Sequence, residues 1–137
     1  MKSRTEAAPL HSALYRAQTL TEDYERALAH LLRTPPAANL GSYSEEYRQF
    51  RSQSLGALLN YVRSYLAAVR NCQTTASGQG LQFGYVAAGG GLLNGRFYDE
   101  VVHEHVYLEH EPTVYALIVA YQQLYAHLSQ ELGQLAV

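Results

Sequence analysis

Three stretches of the chain repeat apolar residues in alternating steps of four and three, the spacing that keeps one stripe on one side of an α-helix. The first stripe is Leu10, Leu14, Ala17, Thr21, Tyr24, Leu28 and Leu31. Pro9 suits the first turn of such a helix, where a missing N–H leaves nothing unsatisfied, and Pro35-Pro36 forbids continuation beyond Arg33. Thr19-x-x-Glu22 has the form of a capping box that would restart the helix there, although the stripe runs straight through it. The second stripe is Leu55, Leu59, Val62, Leu66 and Val69, with Phe50 and Leu58 beside it. It predicts a helix over 43–71, opened by a second box, Ser42-x-x-Glu45. Gly56 inside that helix costs about 1 kcal/mol relative to alanine, which leads us to expect a close helix crossing there. The third stripe starts after Pro112 with Val114, Ile118, Tyr121, Tyr125, Leu128, Leu132 and Leu135, widened by Leu117 and Leu124. Gly133 is the expected end of this helix.

The region 73–111 is harder to assign. Residues 73–80 have loop composition, and Leu81, Phe83 and Tyr85 alternate with polar or small neighbours like a short strand. Gly89-Gly90-Gly91 breaks that strand, and Asn94-Gly95 is a turn signal, so a small β-hairpin is expected within a Gly-rich insertion at 73–96. Residues 97–109 read two ways. As a helix, Phe97, Val101, His105 and Leu108 share a face; as a strand, Glu104 falls among the apolar residues Val102, Val106 and Leu108. The helix gives the coherent stripe and is the preferred reading. The expected fold is therefore mainly α, an antiparallel three- or four-helix bundle with the insertion inside one domain spanning 1–137.

Composition changes the picture in two respects. The aromatic set is 12 Tyr and 3 Phe with no Trp, and Tyr43/Tyr47, Tyr61/Tyr65 and Tyr121/Tyr125 are pairs four residues apart, each a ledge on its helix. Tyrosine brings apolar area with a polar tip, which suits protein interfaces, so these six residues are the candidate interface. Charge is also uneven. Residues 1–72 hold nine Lys/Arg against six Asp/Glu (+3), and residues 73–137 hold Arg96 against six carboxylates (−5). Such asymmetry can pair copies head to tail, or can leave two solvated faces of different sign. No apolar run approaches the ~20 residues of a membrane span, and no secretory pattern opens the chain. Cys72 is the lone cysteine, so a cytoplasmic, disulfide-free protein is expected.

The one concentrated set of ionisable side chains is Asp99, Glu100, His103, Glu104, His105, Glu109, His110 and Glu111. Carboxylate plus imidazole is the ligand set of zinc, iron and manganese sites, and Glu100 with His103 has the Glu-x-x-His spacing of one half of a di-iron motif. A divalent metal held by Glu100, His103, His105 and His110 is the resulting expectation for an enzyme or metal-binding protein. The second half of that motif is missing, and a helix would point His103 and His105 about 200° apart. The competing and favoured reading places Glu100, Glu104 and Glu111 on an outer solvated face, with His105 partly buried. Nucleotide loops are excluded: a Walker loop needs lysine, and the only one is Lys2. Cys72 has no neighbouring base and lies at a helix end whose dipole disfavours thiolate. Arg48, Arg51, Arg63 and Arg70 mix with tyrosines on the second helix, the residue types that contact phosphate and stack on bases, though the segment 43–72 carries only +2. Since no catalytic set is complete, the preferred function is a non-enzymatic protein that contacts itself, as a homo-oligomer, or another chain. Metal chemistry and accessory nucleic-acid binding stand as the alternatives.

Overall fold

A computed structural model describes residues 4–34, 45–74 and 82–135. It is almost wholly helical, in the order α1 (Arg4–Arg33), α2 (Glu45–Thr74), α3 (Phe83–Ala87), a 3₁₀ turn (Gly90–Leu93), α4 (Gly95–Val102), α5 (Glu104–His110) and α6 (Pro112–Leu135). The three stripes are the faces that become buried. Leu10, Leu14, Ala17, Thr21, Tyr24 and Leu28 of α1 are buried, as are Leu55, Leu59, Val62, Leu66 and Val69 of α2 and Val114, Ile118, Tyr125, Leu128 and Leu132 of α6. Leu31, Tyr121 and Leu135 pack at the margin of this core, while Leu124 is exposed.

Cross-helix contacts give the direction of each helix. Arg51, Arg63 and Arg70 of α2 meet Leu31, Glu25 and Glu22 of α1, so the two helices run antiparallel. Arg16, Thr21 and Tyr24 meet Glu131, Tyr125 and Tyr121 in the same descending order, so α6 is also antiparallel to α1. The short helices α3 and α4 and the 3₁₀ turn pack on α2, and α3 and the turn also reach α6.

Several local expectations are corrected. Helix α1 starts at Arg4, so Pro9 lies inside it rather than in its first turn. It is continuous at Thr19, whose hydroxyl donates to the Tyr15 carbonyl, while Glu22 turns outward to Arg70. A Cβ on Gly56 would meet nothing within 4 Å, so no close crossing occurs there. Helix α6 continues through Gly133 to Leu135. Among the described residues there is no strand: the stretch read as the first arm of a hairpin is the helix α3. Phe83 and Val86, three apart, are its buried residues, so the helical period wins over the alternation. Asn94, read as a turn signal, is instead the N-cap of α4, its side chain accepting from the Phe97 N–H at 3.2 Å. Gln73 and Thr74, read as loop, are the last two residues of α2, and Ser42, Tyr43 and residues 75–81 lie outside the described residues.

The preferred helix over 97–109 forms with an interruption. His103 adopts φ +50°, ends α4 and begins α5, and is the only non-glycine residue with positive φ among those described. A second break at Glu111 has a visible cause, because Pro112 disfavours helical geometry in the residue before it. That break turns the Glu111 side chain inward. Its carboxylate accepts from Arg51 Nε at 2.5 Å and from the Tyr47 hydroxyl at 2.6 Å, and Arg51 Nη1 donates to the Leu31 carbonyl at 2.8 Å. The Arg51 and Glu111 side chains are only 5% and 11% exposed, so this is a buried ion pair joining the end of α1, the start of α2 and the α5–α6 junction. Removing one partner of such a pair leaves a buried unpaired charge, and Arg51→Met is expected to lower stability by about 3–5 kcal/mol. Arg51→Met/Glu111→Leu should recover most of that loss, and urea unfolding midpoints of the single and double variants check both expectations.

Candidate functional site

Three cavities border the helices α4 and α5, two of them shared with the first half of α2. The first, about 210 Å³, is lined by Phe50, Gln53, Ser54, Ala57, Glu100, Val101 and His103. The second, about 280 Å³, is lined by Asp99, His103, Glu104, His105 and Leu108. The third, also about 280 Å³, is lined by Glu46, Tyr47, Phe50, Val106 and His110. Phe50 is shared by the first and third, which lie between α2 and the α4–α5 pair, and His103 by the first and second, the second being lined by α4, α5 and the His103 junction alone.

Glu100 and His103 thus border the first cavity, His103 and His105 the second, and His110 the third. Glu100 accepts from Arg96 one turn earlier on α4. The His103 ring meets Phe50 edge-on at 5.4 Å, and lies 6.1 Å from the His105 ring, nearly perpendicular to it. His110 stacks flat on Tyr47 at 4.3 Å, and its Nδ1 is 2.9 Å from the Val106 carbonyl. Among the described residues no three His, Cys, Asp or Glu side chains gather in a way that would hold a metal ion. The picture of a solvated outer face is also corrected in two places: Glu111 is drawn inside by Arg51, and His105 is exposed rather than partly buried.

The candidate nucleic-acid arginines are largely engaged within the chain. Arg51 is buried, and Arg63 and Arg70 bridge to Glu25 and Glu22 of α1. Only Arg48 of the four is exposed with no ion pair among the described residues. The charge asymmetry between the chain halves is likewise drawn on internally, since Arg16–Glu131 and Arg51–Glu111 join one half to the other.

The candidate interface tyrosines divide by helix face. Tyr47, Tyr65 and Tyr125 are buried, so they line seams within the chain rather than a surface between chains. Tyr65 and Tyr125 meet edge-to-face at 5.3 Å, Tyr65 donates to the Val86 carbonyl, and Tyr125 donates to Thr21 at 2.7 Å. Tyr121 is half-buried and stacks on Tyr24 at 4.2 Å. Tyr61 remains outward, 41% exposed, with its ring centroid 3.8 Å from that of Phe97. Tyr85, which was not among the candidate interface residues, is 40% exposed, with its ring 6.2 Å from that of Tyr65. Tyr61 and Tyr85 flank consecutive glycines: a Cβ on Gly90 would come within 2.7 Å of the Tyr85 ring, and one on Gly91 within 2.8 Å of the Tyr61 ring. The alternation of Tyr85 with its neighbours suggests a strand, whereas in α3 its ring lies against Gly90.

No family model, curated protein or solved structure matches the chain. Among the described residues no helix is long and apolar enough to cross a membrane. Burial raises the Cys72 thiol above its ordinary range.

Burial also raises the hydroxyls of Tyr24, Tyr47, Tyr65 and Tyr125, and pushes Tyr107 up to about 12. At Tyr47 the hydrogen bond to the Glu111 carboxylate adds to the effect. An acid whose folded pKa lies above its unfolded value near 10 contributes stability in full below pH ~10 and loses it as pH rises through the folded value. Tyrosinate absorbance from the buried rings is therefore expected to appear together with loss of helical circular dichroism above pH ~11. The Tyr24 hydroxyl is buried with no hydrogen-bond partner among the described residues, whereas Tyr125 has Thr21. Tyr24→Phe is expected to raise stability by about 1 kcal/mol and Tyr125→Phe to lower it by about the same amount, measured as thermal unfolding free energies.

Proposed function

We propose that the protein is an antiparallel helical bundle that acts through contact with protein chains rather than through catalysis, and that it pairs with a second copy of itself. The observation that carries this reading is the outward aromatic ledge of Tyr61, Phe97 and Tyr85 beside the Gly90-Gly91 turn. These rings have one edge held by the fold and the other in solvent, so docking buries large area with little side-chain freedom left to lose. A two-fold pair uses the same patch on both copies, so a single ledge suffices. The absence of a second Glu-x-x-His and the separate settings of His103, against Phe50, and His110, against Tyr47, give no catalytic reading comparable support.

Sedimentation velocity across the micromolar range tests the proposal. A concentration-dependent dimer is expected, and Tyr61→Arg should weaken it by about tenfold or more, the effect of a central aromatic anchor. A species that stays monomeric throughout, or a Tyr61→Arg variant that dimerises as well as the parent, overturns the reading.

A further inference from the structure

We infer that α4 and α5 exchange between the bent arrangement and a single straight helix, with His103 as the hinge and Ser54 of α2 as the latch that holds the bend. Three local conflicts meet at this junction. His103 holds φ +50°, a conformation that a residue with a Cβ adopts only at a cost. The Tyr107 hydroxyl is buried with no hydrogen-bond partner among the described residues, while Leu108, the next residue, is 47% exposed. The sequence of 97–109 also supports a helix through the break, since Phe97, Val101, His105 and Leu108 fall on one face when it is uninterrupted. Conflicts gathered in this way mark an element with a competing arrangement.

The bend offsets these costs by what it buries. Val102 and Tyr107 are both fully buried. Five residues apart, they would stand about 140° from each other on one helix, so a straight form that keeps Val102 in the core turns Tyr107 out of it. The bend brings both in and leaves His105 and Leu108 outside. An uninterrupted helix would also give the Val101 carbonyl the His105 N–H, four residues on. In the bent form the Ser54 hydroxyl donates to that carbonyl at 2.7 Å, so a side chain of another helix takes the place of a backbone donor. Glu111, at φ −141° and ψ 73°, is non-helical at the other end of α5, which therefore has a pivot at each end. Straightening frees the Tyr107 hydroxyl, relieves His103 and adds Val101 and Leu108 to the face of Phe97, lengthening the outward ledge. A chain docked on that longer face would favour the straight form. That consequence rests on the ledge being a contact surface, whereas the exchange itself does not.

Pulsed electron–electron resonance between spin labels at Arg96 and Glu109, both exposed, reads the exchange in the full chain. The labels are placed with Arg96→Cys/Glu109→Cys on a Cys72→Ala background and diluted with unlabelled chain, so that only distances within one chain register. Two distances are expected: a shorter one from the bend, and a longer one from backbone positions about 20 Å apart, thirteen residues along a straight helix. His103→Gly suits the bend and weakens a continuous helix, so it should enrich the short distance by about tenfold or more. Ser54→Ala removes the latch and should enrich the long distance by about fivefold. Circular dichroism identifies which variants are folded, and His103→Gly decides the matter alone if Ser54→Ala is not. A single distance in the parent, or a ratio that a folded variant leaves unchanged, overturns the proposal. If the distances exchange as stated while sedimentation finds only monomer, the hinge stands and the contact reading fails.

Discussion

The buried contact between Arg51 and Glu111 is the constraint from which the arrangement of the helix ends follows. One carboxylate oxygen takes both the Arg51 Nε–H and the Tyr47 hydroxyl, while the remaining edge of the guanidinium is held by the last turn of α1 through Leu31. Desolvating two charges costs several kcal/mol per ion, and attraction between them in a poorly polarisable interior returns a comparable amount. The net gain is small, but the alternatives are not. Any arrangement that buries Arg51 without Glu111, or Glu111 without Tyr47 and Arg51, carries an unpaired polar group at full penalty. The pair therefore acts chiefly on which ends meet: the end of α1, the first turns of α2 and the α5–α6 junction come together.

The same device recurs in weaker form at other helix ends. A helix leaves its final carbonyls without intrahelical partners, and here residues far away in sequence supply donors. Ser54 of α2 donates to Val101 near the end of α4, Tyr65 of α2 donates to Val86 of α3, and Ser129 of α6 donates to Ala87, the last residue of α3. The short helices are too brief to be stable alone. They persist because the long helices both cover their apolar faces and satisfy their ends. This also explains why α2 carries hydroxyls at Ser54 and Tyr65 among its buried residues.

Much of the fold was legible because stripe spacing reports a single buried face, and the faces of α1, α2 and α6 turned out to be those marked by Leu14, Val62 and Ile118. The break at His103 was not legible, since the apolar period of 97–109 runs through it and neither glycine nor proline marks it. Asn94 misled for a physical reason: the side chain that favours a turn by bonding nearby backbone is equally suited to cap a helix. For the candidate site, Glu100, His103, His105 and His110 were legible as one crowded segment because they are close in the chain, and they border three cavities beside α4 and α5. The opposite wall, Glu46, Phe50 and Ser54, was beyond reach because spacing within one helix carries no information on which other helix it faces. Glu111 was misplaced on the surface for the same reason, since its inward turn exists only relative to Arg51.

The choice of tyrosine over phenylalanine is intelligible on these grounds. Each of Tyr47, Tyr65 and Tyr125 fills core volume as phenylalanine would, and then reaches across a seam to an acceptor on a different element: Glu111, Val86 or Thr21. A ring with a directional tip distinguishes one helix register from a neighbouring one, which apolar packing alone does poorly. Tyr24 and Tyr107 are the exceptions, buried with unpartnered hydroxyls among the described residues, and both lie where aromatic rings crowd: Tyr24 against Tyr121 and Tyr125, Tyr107 against Tyr47 and Phe50. There the ring contacts hold the side chain, and the hydroxyl opposes burial instead of directing it. Tyr61 and Tyr85 complete the series from the other side, because their rings stop at the seam beside Gly90 and Gly91 and leave their outer edges in solvent. The same residue type thus serves as an internal strut at Tyr47, Tyr65 and Tyr125, where an acceptor faces it, and remains as exposed aromatic area at Tyr61 and Tyr85.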